Sequence, residues 1–198
     1  EIKYPAAGTK NATVGLEKIY LTGSRESIRW DNDSFEYLIS VSWQKDCSAL
    51  ITVADRAQQQ FVTYAATDSG LANVHEVTDH EFVEVIPGQP RWHQDQIVSV
   101  VDNRQSDTRE LQVAGKAITP PGLQVMSIID IKDDYIDVIA TQDALSRDLL
   151  RIGFNGSITE ISQGGLASAT TTTAELQVVV ESRLDTHTRS YQLRRGVK

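Results

Sequence analysis

Long apolar stripes at the helical period of 3.6 residues are scarce in this chain. Short runs of β-branched and aromatic residues recur instead, bounded by Gly, Asp, Asn and Ser. That is the pattern of strands joined by tight turns. Fourteen strands are predicted: 13–21, 37–42, 50–54, 61–66, 74–78, 96–101, 110–113, 126–131, 135–140, 149–153, 157–161, 168–172, 176–180 and 190–193. Phe61-Val62-Thr63-Tyr64 alternates with the two-residue period of a half-buried strand. Leu176-Gln177-Val178-Val179-Val180 is apolar nearly throughout, as a strand covered on both faces would be. With no convincing helix, the chain reads as all-β.

The strands are grouped. Four segments, 39–79, 89–121, 125–162 and 168–196, share one order of events: apolar strand, polar turn, second strand, charged loop, third strand, then a turn and a fourth. The last segment stops before its fourth strand. Placing the second strands in register aligns Ile51, Val98, Val138 and Val178, at steps of 47, 40 and 40 residues. A four-stranded unit at that period is the signature of propeller blades, because one small sheet buries both its faces only by stacking against copies of itself. A β-sandwich also has short strands at close spacing, but gives no reason for the grouping to recur. The expected architecture is therefore a partial β-propeller of about four four-stranded antiparallel blades. Its divisions are 1–34 (end of a preceding blade), 35–83, 84–122 and 123–165 (blades) and 166–198 (an incomplete blade). Trp43 and Trp92, each at the end of a first strand, are expected in the core.

Composition adds exclusions. The chain has 198 residues and a net charge of −8, from 27 acidic and 19 basic residues that are interspersed. Bulk charge of that sign does not attract nucleic acid or anionic lipid, so neither is an expected partner. No run approaches the ~18 apolar residues of a membrane helix. The single cysteine, Cys47, allows no internal disulfide and is expected as a small buried residue. A lone cysteine also fits a reducing compartment. The chain opens EIKYPAAGTK, without an initiator Met or a signal-peptide pattern, so it reads as a trimmed sequence from a bacterial cytoplasmic protein. The sequons at Asn11, Asn32 and Asn155 are taken as chance occurrences.

The sequence alone offers no active site. It contains no Gly-x-Ser-x-Gly elbow, no glycine-rich phosphate loop and no calcium loop. Asp79-His80-Glu81 reads as a turn between blades, since adjacent residues of a strand would point to opposite faces. Asp133-Asp134 reads as a hairpin turn. His75 and His80 would diverge along one strand, and His93 and His187 are distant in sequence, so no metal or other cofactor is expected.

Likeness to a known family supplies a functional expectation. YPAAGTKNATV resembles the Tyr-Pro-Lys-Ala-Gly-x-x-Asn-Pro-x-Val segment of the dipeptidyl peptidase IV propeller, with matches at Tyr4, Pro5, Ala7, Gly8, Asn11 and Val14. Ala6 stands in place of the usual lysine and Ala12 in place of the usual proline. The corner after Trp43 and that after Trp92 resemble a degraded Trp-Ser-Pro-Asp-Gly turn of peptidase propellers. HEFVEVIPGQPRW, ELQVAGKAITPPGLQV, SRDLLRI and SATTTTAELQVVVESRLD resemble further family segments in the same order. The resemblance implies an eight-bladed propeller followed by an α/β-hydrolase domain, in a bacterial serine peptidase that removes N-terminal dipeptides with proline or alanine second. It places the Ser-Asp-His triad beyond residue 198 and the paired glutamates that hold the substrate amine before residue 1. No Glu-Glu pair occurs in this chain. The family's inter-blade loop carries an aromatic–arginine pair that lines the substrate pocket. The corresponding stretch here, Glu84, Val85 and Ile86, has neither, and packing between blades explains Val85 and Ile86 equally well.

The expectation is a non-catalytic scaffold and gate whose parent takes peptide substrates. The alternative is a stand-alone propeller that binds a protein or ligand, which would require closure within 198 residues. An open arc exposes two blade faces, so a homodimer or larger assembly is expected.

Overall fold

The computed structural model describes residues 9–162, 164–172 and 176–195. Among these residues the regular structure is β throughout, with seventeen strands in five antiparallel sheets. The chain divides into two compact units, Glu1–Val85 and Ile86–Lys198.

The first unit opens with a hairpin of β1 (Leu16–Ile19) and β2 (Arg25–Ile28), closed by Gly23 with φ of 86°. A four-stranded meander follows: β3 (Tyr37–Ser42), β4 (Leu50–Ala54), β5 (Gln60–Thr67) and β6 (Gly70–Thr78). Every residue of β4 is buried, because Leu-Ile-Thr-Val-Ala has no charged side chain to keep in water. Ile51, Val53 and Val62 on one face pack with Leu16, Ile28 and Trp30. On the other face the only buried polar pair, Thr52 and Thr63, satisfies itself with a 3.0 Å hydroxyl–hydroxyl hydrogen bond among the described residues. The β4–β5 turn is closed by Asp55, whose carboxylate accepts from the Gln59 and Gln60 amides at 2.8 Å each.

The second unit is a stack of three sheets. The first is built from β7 (Arg91–His93), β8 (Gln96–Asn103), β9 (Thr108–Val113) and β10 (Lys116–Ala117). The second holds β11 (Gln124–Ile131), β12 (Tyr135–Thr141), β13 (Asp148–Gly153) and β14 (Ile158–Glu160). The third holds β15 (Leu166–Thr171), β16 (Leu176–Ser182) and β17 (Ser190–Arg195). The pleat of β12 shows how they join. Ile136, Val138 and Ala140, with Val125 of the neighbouring β11, point into a core shared with Val98, Val100 and Leu111 of the first sheet. Ile139 points the other way, into a smaller core with Leu149, Ala167 and Val179. The middle sheet is thus covered on both faces by its neighbours, and each fully buried Leu, Ile or Val contributes roughly 1.5–3 kcal/mol.

All fourteen expected strand positions carry a strand, and the sheets are four-stranded and antiparallel except for the opening hairpin and the three-stranded last sheet. Three strands were not expected: β2, β7 and β10, which are short, have one apolar residue each and borrow their conformation from a paired neighbour. The core assignment of Trp43 is corrected. It is 69% exposed, because it follows β3, an edge strand, and has left the sheet by the time the chain turns. Trp92 is half-buried within β7. Cys47 is also half-buried rather than buried, its amide bonded to the Gln44 carbonyl in the same turn. Of the opening motif, Tyr4, Pro5, Ala6, Ala7 and Gly8 lie outside the described residues.

Candidate functional site

The loop expected to face a substrate pocket begins where β6 ends. Asp79 caps the turn by accepting from the Glu81 and Phe82 amides at 2.8 and 3.2 Å. That turn brings His80 within 3.4 Å of the Glu81 carboxylate and 3.9 Å of the Asp79 carboxylate. The three residues therefore lie closer together than strand geometry would allow, yet the His80 and Glu81 side chains are open to solvent, where such pairs are worth little. Val83 is buried and its amide is bonded to the Gln58 carbonyl at 2.8 Å.

Glu84 and Val85 then turn outward, Val85 being 48% exposed. Ile86 is 6% exposed and belongs to the large core of the second unit, beside Ile128. Immediately afterwards Gly88 adopts φ of 83°, and a Cβ there would overlap the Ile128 carbonyl oxygen. Only glycine fits so close an approach. Pro87 accepts from the Ile128 amide at 3.1 Å, and Gln89, which precedes Pro90 through a cis peptide, accepts from the Val100 amide with its side-chain oxygen. The loop thus offers Glu84 and Val85 to solvent and holds Ile86 in packing.

A second constellation escaped the sequence reading. Asp137 on β12 is 1% exposed. Its carboxylate accepts from Arg151 Nε at 2.9 Å and Arg151 Nη2 at 3.2 Å, and from Gln177 Nε2 at 2.9 Å. Gln177 Oε1 accepts in turn from Arg194 at 3.3 Å. The Arg151 guanidinium lies 3.5 Å above the Tyr135 ring. Burial works to discharge Arg151, but the hydrogen bonds and charge of Asp137 outweigh it and hold the guanidinium above its ordinary pKa. Burial likewise raises the Tyr135 phenol, with Arg151 opposing. Burial lowers Arg91, whose guanidinium donates to the Ile129 carbonyl at 3.3 Å and is partly offset by the charge of Asp130. The signal in the sequence was a polar residue one place before the aligned Val138 and Val178.

This cluster holds rather than reacts. Both carboxylate oxygens of Asp137 are occupied by donors, so the group has no base to offer. Elsewhere, Asp133-Asp134 forms the β11–β12 turn, closed by the Lys132 amide on the Tyr135 carbonyl at 2.9 Å. His75 is half-buried on β6, its pKa lowered by burial. His93 stacks on Phe154 with centroids 4.0 Å apart. No group of three or more His, Cys, Asp or Glu side chains able to hold a metal occurs among the described residues. An open groove of about 610 Å³ lies at one end of the second unit, lined by Asp143, Leu145, Gly165, Leu166, Arg183 and Leu184 among others.

Known proteins give this geometry a context. The family model described as the dipeptidyl peptidase IV (DPP IV) N-terminal region matches residues 1–162. The crystal structure of Porphyromonas gingivalis dipeptidyl peptidase 4 is similar with a TM-score of 0.72 at 16% identity, over 90% of this chain and 27% of that one. The crystal structure of a puromycin hydrolase mutant complexed with PGG is similar with a TM-score of 0.59 at 12% identity, over 85% of this chain and 28% of that one. No curated protein matches. The chain therefore spans little more than a quarter of the length of either solved relative, and the likeness to them is one of fold: the successive sheets are blades of a partial β-propeller.

Proposed function

Because this chain belongs to the dipeptidyl peptidase IV N-terminal region family, we propose that it is the non-catalytic propeller portion of a serine-type dipeptidyl aminopeptidase. The parent enzyme removes dipeptides from peptide N-termini, with proline or alanine at the second position, and this portion serves as scaffold and substrate gate. The observation that carries the reading is the family match across most of the chain, on a fold whose sequence has no nucleophile elbow. The outward-turned Glu84 and Val85 support a place for this loop at the edge of a substrate pocket, with Ile86 as its anchor.

The test compares this chain with its full-length gene product on Gly-Pro and Ala-Pro reporter amides. The chain alone is expected to be inert and the full-length product active. Turnover that copurifies with this chain, or a full-length product without such activity, would overturn the reading. In the active product, Val85→Phe is expected to change KM more than kcat, since the loop binds and does not react.

Self-association of the isolated chain is part of the proposal. The outer face of the last sheet carries Tyr191 at 70% and Leu193 at 69% exposure, opposite Val180 and Val178. A second copy would cover it. Light scattering is expected to show a dimer or larger species that Tyr191→Glu with Leu193→Lys dissociates.

A further inference from the structure

The last two sheets of the second unit share few buried apolar side chains, and those of β16 are ambiguous. Val179 faces the middle sheet and Val178 and Val180 face away. A one-residue slip of β16 would turn Val178 and Val180 inward, and an apolar core accepts either set of valines. In a strand that is apolar on both faces, the hydrophobic pattern sets register only weakly.

Gln177 removes the ambiguity. It is 8% exposed and faces the middle sheet, where its amide donates to the buried Asp137 carboxylate at 2.9 Å. In the slipped register Gln177 would face away, and Asp137 would lose its inter-sheet donor. An unpaired arm of a buried charged cluster is costly, whereas the satisfied cluster adds little net stability, so its effect is selection between arrangements. Asp137 and Gln177 also lie 40 residues apart, the step between the aligned Val138 and Val178.

We propose that the Asp137–Gln177 pair, held by Arg151 and Arg194, is a register latch that selects one seating of the last sheet on the middle one. The seating has a consequence at the far end of the strands. β12 and β16 lead from the latch into loops 142–147 and 183–189, and residues of both loops line the open groove. The latch therefore sets how those loops stand relative to each other.

Native-state hydrogen exchange on this chain tests the latch. Gln177→Leu removes the inter-sheet arm and leaves the Asp137–Arg151 pair whole. Amides of β16 and β17 are expected to exchange about tenfold faster or more, with β8 and β12 unchanged. Asp137→Asn is expected to give the same localised pattern, and the Gln177→Leu result stands by itself if that variant does not fold. Unchanged protection in β16 and β17, or an equal loss across all three sheets, would overturn the proposal.

Discussion

The two interfaces of the second unit do the same task by different means. Between the first and middle sheets lies a core of twelve buried apolar residues, from Ile86 through Leu111 and Ile136 to Ile152. Between the middle and last sheets lie, among the described residues, four, Ile139, Leu149, Ala167 and Val179, beside the ionic and amide cluster of Asp137. The first interface gains its stability from area removed from water, which is large but non-directional. The second has less area and more direction. The contrast teaches that one repeat can be joined to its neighbours by bulk on one face and by hydrogen-bond geometry on the other, and that the cost of damage differs accordingly.

The largest effect is expected at the directional interface. Asp137→Ala strands the Arg151 guanidinium and the Gln177 amide, and is expected to lower stability by about 3–5 kcal/mol in urea unfolding. A loss below about 1 kcal/mol would mean that water or a rearranged arginine replaces the carboxylate, and the contrast would fail. Next comes Leu111→Ala in the oily interface. Leu111 is fully buried, and its truncation is expected to cost about 3 kcal/mol. That loss should accelerate exchange in the first two sheets together. Val179→Ala in the small core is expected to cost about 1–2 kcal/mol, read by the same denaturant midpoints, with faster exchange confined to the last sheet.

The smallest effect is a control outside both interfaces. Burial holds the His75 imidazole below its ordinary pKa. The unfolded chain therefore takes up the proton at higher pH than the folded one, so stability is present above the unfolded value and falls as pH drops through the window below it. The urea midpoint is expected to decline from about pH 7 to pH 5, and His75→Gln should flatten part of that decline. Both interfaces should keep their relative exchange rates across this range.

Legibility followed the range of the forces. The strand content was readable because β4, β8, β12 and β16 are runs of branched apolar residues cut off by turn formers, and that is local chemistry. β7 and β10 were missed because three and two residues, with one apolar side chain each, are too short to carry such a pattern; pairing with β8 and β9 makes them strands. Trp43 was misplaced for the converse reason. Its size argued for the interior, but its position beyond an edge strand left it exposed. In the candidate loop, nothing local distinguished Val85 from Ile86. They differ because Gly88 brings the following backbone against Ile128, and this packs Ile86 into a core.

By itself, the order of apolar and polar residues determined that this protein is built of short antiparallel sheets repeating about every forty residues, since backbone pairing and the two-residue pleat are dictated by neighbours along the chain. Tertiary structure alone decided which side chain meets which across a sheet interface. Asp137 and Gln177 are two ordinary polar residues until stacking brings their repeats face to face. Only then does burial strip away water and turn them into each other's partner.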